Sequence, residues 1–271
     1  MSNLPSEPVS DIVTAILSSA KYRSLATAFV RNVAEREWIT HPRPKEAEQA
    51  ARRKLHQVAA AYWLHSPRYA RWLAELSVAA KAGGEVLQDA CRTILTSHAS
   101  TRERLPILTE LYQTCLADLA PLHSVLDVAC GLNPLTSPWM PLAPGARYIA
   151  CDVYTDLAEF LQQALTLFGL QVTALACDAF TELPSEPVQV ALLLKALPCL
   201  EQLDPYMARE LLSRLPAEHI IVSFPAHSLG GGKRQMPAVY EAHFRELLEG
   251  TDWRVKRYLW PSELVFRVDK S

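Results

Sequence analysis

Apolar positions recur at helical spacing over the first third of the chain and fall into short continuous runs over the rest. Ile12, Ala15 and Ile16, with Ser19, share one helical face, and Ser10 is placed to cap that helix. Residues 1–10 are polar with two prolines and are expected to fray. Phe29, Val30, Val33, Glu37 and Trp38 predict a second helix, stopped by His41-Pro42-Arg43-Pro44. A third is expected from about 45 to 63. Trp72, Leu73, Leu76 and Val78 predict a fourth, closed by Gly83-Gly84, and a fifth follows over 86–96. This stretch carries no strand signal, so residues 1–97 are read as an all-α N-terminal bundle and residues 98–271 as a second domain.

From residue 98 onward helix and strand alternate. Residues 98–104 lead into an amphipathic helix over 105–119, with Ser100 as its N-cap and Glu103 as the capping-box partner. Strands are expected at 124–129, 147–151, 171–177, 188–195, 219–224, 253–260 and 263–268, with helices at 155–168, 203–214 and 237–248. The runs 124–129 and 188–195 are nearly all apolar, which suits interior strands of a parallel sheet covered on both faces. Only Pro261-Ser262 separates the last two strands, so they should pair as an antiparallel hairpin. The fold class is therefore α/β, a Rossmann-like, seven-stranded, mostly parallel sheet, which resembles the layout of class I methyltransferases.

One stretch organises this second domain. Val125, Leu126 and Val128 form a buried-strand pattern that runs into Ala129-Cys130-Gly131-Leu132-Asn133-Pro134, a turn with free backbone N–H groups at the carboxyl edge of a strand. Asp152 follows 25 positions after Asp127, at the end of the next strand, where a carboxylate can accept both hydroxyls of a ribose. Together they suggest a site for an adenosine-bearing cofactor. The absence of G-x-G-x-x-G counts against a nicotinamide. At the third strand's end, Asp178 can reach an adenine amino group, with the Ala179 N–H beside it. At the fourth, Lys195 is costly to bury without a partner, and Glu201 is the expected one. The D/N-P-P-Y/F tetrapeptide of amino-methylating enzymes is absent there. The fifth strand runs past His227 into Gly230-Gly231-Gly232-Lys233-Arg234-Gln235-Met236, a glycine loop with two bases that can approach phosphates, although it is no P-loop.

Composition narrows the class. With 49% hydrophobic and 21% charged residues over 271 positions, the chain is an ordinary globular protein, and its net charge of −2 is uninformative about nucleic acid. The charge is uneven, however: residues 1–72 hold eleven basic and six acidic residues, densest at Arg52-Arg53-Lys54. A basic bundle beside a cofactor domain suits a nucleic-acid platform. Six cysteines without a C-x-x-C pair read as buried thiols rather than metal ligands, and no metal is expected. With no signal peptide and no bilayer-spanning run, a cytoplasmic protein is expected.

Assembled, these residues resemble the aminoglycoside-resistance 16S rRNA (guanine(1405)-N(7))-methyltransferase family. The likeness rests on Lys21-Tyr22-Arg23, Leu55-His56 to Tyr62, His98 to Arg104, Asp127 to Leu135, Lys195 to Glu201, Ser223 to Gly231, Met236 and Glu263-Leu264-Val265. It implies S-adenosyl-L-methionine as methyl donor. By position, Tyr62, His98, Ala99, Ser100, Arg104, Ala129, Gly131, Asp152, Asp178, Ala179, Leu194 and either Gln202 or Leu203 would hold it, Arg104 on the methionine carboxylate. Lys195 and Glu201 would be catalytic. Lys21, Arg23, Arg52, Arg53, Lys54, Lys233, Arg234 and Met236 would meet RNA, the partner being 16S rRNA within the 30S subunit and the protein a monomer. Guanine N7 carries a lone pair and no proton, so no general base is required. A small-molecule methyltransferase and a non-catalytic RNA-binding assembly factor are the alternatives.

Overall fold

The structure, a computed structural model, describes residues 6–59, 62–226 and 236–270. Seven strands form one sheet: β1 (Leu122–Val128), β2 (Leu142–Asp152), β3 (Gln171–Ala176), β4 (Val188–Leu194), β5 (Ala217–Pro225), β6 (Arg254–Leu259) and β7 (Glu263–Asp269). Their spatial order is β3-β2-β1-β4-β5-β7-β6. The first five are parallel, and β7 runs antiparallel between β5 and β6. All seven expected strands are present, as is the terminal hairpin.

The period-two alternation explains the layering. Val125, Tyr148, Val190 and Ile221 face one apolar core, and Leu126, Ile149, Ala191 and Ile220 face the other. The hairpin orders itself by polarity. Fully buried β7, with Leu264, Val265 and Phe266, takes the inner place. Arg254, Lys256 and Arg257 of β6 guard the outer edge. Strand order reverses between β1 and β4, which opens a crevice at their carboxyl ends.

Eleven α-helices are found among the described residues: α1 (Ser6–Leu17), α2 (Thr27–Thr40), α3 (Pro44–Val58), α4 (Tyr69–Ala82), α5 (Gly84–Leu95), α6 (Ala99–Arg104), α7 (Leu108–Leu116), α8 (Thr155–Leu167), α9 (Leu197–Leu203), α10 (Met207–Arg214) and α11 (Met236–Leu247). Several boundaries differ from expectation. Ser10 lies inside α1 rather than capping it, because the helix begins at Ser6. The third helix ends at Val58, five residues before Trp63, which instead bridges to His98. The helix expected over 105–119 is broken: Pro106, with no N–H to donate, sits in a 3-10 turn that separates α6 from α7. His98, not Ser100, precedes α6. Ser100 lies within that helix and Glu103 reaches elsewhere. The helix expected over 203–214 begins only at Met207, after Asp204-Pro205, and is preceded by α9 over Leu197–Leu203, which the pattern did not predict.

Packing divides the expected helical segment. Helices α1 to α3 enclose a core of their own around Ile16, Phe29, Val33 and Leu55. By contrast, Trp72, Leu76, Ile94 and Leu95 of α4 and α5 share the sheet's core with Phe160 of α8. The first unit is held to the sheet by main chain, Ala26 N–H donating to Val153 O (2.8 Å) and Thr155 N–H to Ser24 O (2.7 Å). Side chains add to this, with Asn32 Nδ2 of α2 donating to Asp178 Oδ2 (2.6 Å) and Lys54 Nζ of α3 to Gln202 O (2.8 Å).

Candidate cofactor and acceptor site

The crevice holds a cleft lined by Ala129, Gly131, Asp152 and Lys195 at the strand ends, with Tyr62 and Trp63 beside them. Two residues at its floor are backbone outliers. Ala129 after β1 and Lys195 after β4 take positive φ, at 51° and 59°, where a side chain is strained. They turn the chain as each strand ends, but the free N–H groups expected of the first turn are taken within the fold, Cys130 N–H by Cys151 O (3.0 Å) and Asn133 N–H by Cys130 O (2.9 Å), and Lys195 N–H goes to Ser223 O (3.0 Å). Gly131 also takes a positive φ, 52°, and is pressed by His98. Asp152 at the end of β2 accepts the Gly131 N–H on Oδ2 (2.7 Å) and the Val153 N–H on Oδ1 (2.7 Å). Burial pushes its carboxyl above the usual range, while those two amides favour the charged form. The Tyr154 amide acts on the same carboxylate, and part of its acceptor capacity remains for a ribose hydroxyl.

Aromatic rings close one side. Tyr62 stacks on His98 at 6.0 Å, and Trp63 meets the same imidazole edge-on at 5.3 Å and Tyr154 edge-on at 6.5 Å. Burial, and next the Arg104 charge, push His98 down to about 4, so the ring is neutral near pH 7. Its Nδ1 is buried without a partner among the described residues.

Beneath the cleft lies a charged network. Arg104 donates to both oxygens of Glu263 (2.9–3.1 Å), to Asn133 Oδ1 (2.9 Å) and to Ser100 Oγ (3.3 Å). Asn133 donates to Asp127 Oδ2 (2.8 Å), which also accepts from the Tyr148 hydroxyl (2.8 Å). Burial pushes the Asp127 carboxyl up to about 7. Lys195 Nζ lies 2.7 Å from Glu103 Oε2 and 3.6 Å from Glu263 Oε2.

Of the cofactor residues expected from sequence, Tyr62, His98, Ser100, Ala129, Gly131, Asp152 and Leu194 line the cleft. Arg104 does not: it is fully buried, with every guanidinium nitrogen engaged. Asp178 and Ala179 are also outside it, because Asp178 is turned to Asn32 and to the Phe180 N–H (3.0 Å). Between Gln202 and Leu203, Leu203 lines the cleft. Gln202 and Ala99 line a second cavity beside it. The expected Lys195–Glu201 pair is not formed. Glu201 lies on α9 and meets His243 Nε2 of α11 at 2.5 Å, while Glu103 and Glu263 take the lysine.

The second cavity shares Tyr62, Ser100, Lys195 and Cys199 with the first and adds Glu103 and Met236. Of the expected RNA contacts, Lys21, Arg23 and Arg53 are exposed. Arg52 is spent within the fold, on Glu48 (2.8 Å), Ala15 O (2.8 Å) and Ser19 Oγ (3.4 Å). His227, Lys233 and Arg234 lie outside the described residues. Sequence reasoning missed Glu263 and Asn32 as partners. A glutamate opening the apolar run Glu263-Leu264-Val265-Phe266 was the available signal for the first, since a carboxylate there must be paired. Asn32 left none.

The family model described as ribosomal RNA methyltransferase (FmrO) matches residues 18–267. The chain belongs to this family. It is 33% identical over 98% of both chains to a 16S rRNA (guanine(1405)-N(7))-methyltransferase of Micromonospora echinospora. It is 35% identical, over 97% of this chain and 99% of the other, to the enzyme of that name from Serratia marcescens. Among solved structures it is similar to the 16S rRNA methyltransferase RmtF in complex with S-adenosyl-L-homocysteine, with TM-score 0.82 and 32% identity over 98% of this chain and 99% of that one. The 16S rRNA methylase RmtB follows with TM-score 0.74 and 30% identity over 97% and 98%. The Rossmann-like seven-stranded fold read from the sequence is thus the family's.

Proposed function

We propose that this protein transfers a methyl group from S-adenosyl-L-methionine to N7 of guanine 1405 of 16S rRNA in the 30S subunit, the modification named for its relatives, and so confers aminoglycoside resistance. The observation that carries this reading is the pair of cavities joined at Lys195, one floored by Asp152 and Gly131, the other open beside Met236. The first fits the cofactor: a carboxylate held by two backbone N–H groups suits the ribose, and the aromatic wall of Tyr62, Trp63 and Tyr154 suits an apolar or cationic ligand face. When bound, that cofactor supplies a sulfonium methyl.

The chain's own task is positioning and exclusion of water. Guanine N7 attacks through a lone pair, and no side chain has to remove a proton. The second cavity receives the base, which must leave its helix because the N7 edge of duplex RNA lies in a deep, narrow groove. Lys195 is held there between two carboxylates with its side chain 6% exposed, a fixed donor rather than a mobile one. We assign RNA docking to the N-terminal helical segment, residues 1–97, through exposed Lys21, Arg23 and Arg53, and catalysis to residues 98–271 together with Tyr62 and Trp63, which reach the cleft from the first segment. A monomer acting in the cytoplasm on assembled 30S particles completes the reading.

The test is incubation of 30S subunits with the protein and labelled cofactor, followed by borohydride and aniline cleavage and primer extension. A stop at position 1405 is expected. Label on small molecules alone, or on an exocyclic amine, would overturn the assignment.

A further inference from the structure

Among the described residues, Glu103 is the only carboxylate lining the second cavity, and its bonding there is half used. Its Oε2 accepts from Lys195 Nζ at 2.7 Å, while Oε1 has no hydrogen-bond partner among the described residues. The side chain is 37% exposed, against 6% for the lysine. Below it, Glu263 faces both Arg104 and Lys195, and Glu103 is the second carboxylate within reach of the lysine. Its second oxygen, Oε1, is an acceptor on a residue that lines the second cavity.

Lys195 lines both cavities, and Glu103 lines the second but not the first. This asymmetry matches the outline of one base. In guanine, O6 lies between N7 on one side and N1–H and the N2 amino group on the other. A donor at the shared wall suits O6. An acceptor on the second cavity's side then suits N1–H and N2–H, and N7 is left facing the first cavity. Adenine offers the reverse pattern, with an amino group toward the lysine and a lone pair toward the carboxylate, so it is rejected.

Resting on the reading above, we infer that Glu103, paired with Lys195, reads the Watson–Crick edge of the acceptor guanine and is a specificity-determining residue of this enzyme. Glu201, held by His243 outside both cavities, does not take that role.

The experiment compares wild type, Glu103→Ala and Glu103→Gln on 30S subunits reconstituted with guanine or hypoxanthine at position 1405, the latter lacking the N2 amino group. Wild type is expected to lose about 10- to 100-fold in kcat/KM on hypoxanthine, the size of one charge-assisted hydrogen bond. Glu103→Ala should be slower on guanine by a similar factor and nearly indifferent to the exchange. If both variants keep the wild-type ratio of guanine to hypoxanthine, Glu103 merely holds Lys195 and the inference is wrong. Thermal melts and S-adenosyl-L-homocysteine titration of each variant separate misfolding from lost recognition. Wild type inactive on guanine-bearing 30S would sink the proposed function itself, a result distinct from an unchanged ratio.

Discussion

The imidazole of His98 lies 3.0 Å from the place a β-carbon on Gly131 would occupy. Gly131 also needs its positive φ to carry the chain from β1 under the cleft. Gly131→Ala therefore meets strain of about 1–2 kcal/mol from the backbone and a ring that must move. Both the melting temperature and the affinity for S-adenosyl-L-homocysteine should fall, the latter by roughly tenfold. Calorimetry and thermal melts check this. Adding His98→Ala to the glycine variant should recover part of the affinity, and no recovery would show that the ring contact is not the cause.

Arg104 and Glu263 are buried together and hydrogen-bonded along two edges. Removing one partner leaves the other charge stranded, so Arg104→Met should destabilise by about 3–5 kcal/mol. The double variant Arg104→Met, Glu263→Leu should be less damaged than the two single losses added together. Urea melts of the four proteins measure the coupling, and simple additivity would deny it.

Two buried groups give opposing pH slopes. His98 sits at about 4 when folded against an ordinary 6.5. The unfolded chain gains that proton first, so its contribution is full above about 6.5 and is lost as pH falls toward 4. Asp127 sits at about 7 against an ordinary 3.8. Here the folded state keeps a proton the unfolded chain has released, so stability is full below about 3.8 and is lost as pH rises through 7. Relative to wild type, Asp127→Asn should gain stability from pH 4 to 7, and His98→Gln should gain it from pH 6.5 down to 4. Melting curves at several pH values that show constant offsets would contradict both assignments.

Neighbouring arginines on α3 should behave differently. Arg52 ties α3 to α1 and lies over the Tyr22 ring, 5.8 Å from its centroid, so Arg52→Ala should lower the melting temperature. Arg53 is exposed, and Arg53→Ala should leave stability within about 0.5 kcal/mol. If α3 meets phosphate, the same change lowers the salt slope of 30S binding by about one. Filter binding over a salt series is the measurement, and an unchanged slope would remove Arg53 from the interface.

The sheet was legible because its signal is local. Val125, Leu126 and Val128, like 188–195, are apolar on both faces, and such a run suits only an interior strand. Asp152 and Gly131 were legible for the same reason: each ends a strand, and strand ends converge in this topology. Helix ends were read less well. Ser10 and Ser100 each have the chemistry of a cap, but packing of the preceding residues extended one helix and shifted the other. Arg104 and Glu201 were assigned outward roles, yet each is engaged by a residue remote in sequence, Glu263 and His243.

The chain's apolar periodicity determined the strand inventory, the parallel core, the closing hairpin and the crevice where β1, β2 and β4 end, since each follows from the burial demands of consecutive residues. Tertiary structure alone decided which charges are partners. Lys195 meets Glu103 across 92 positions, Arg104 meets Glu263 across 159 and Asn32 meets Asp178 across 146. A buried charge requires some partner, but which one comes within 3 Å is settled only when separate elements pack.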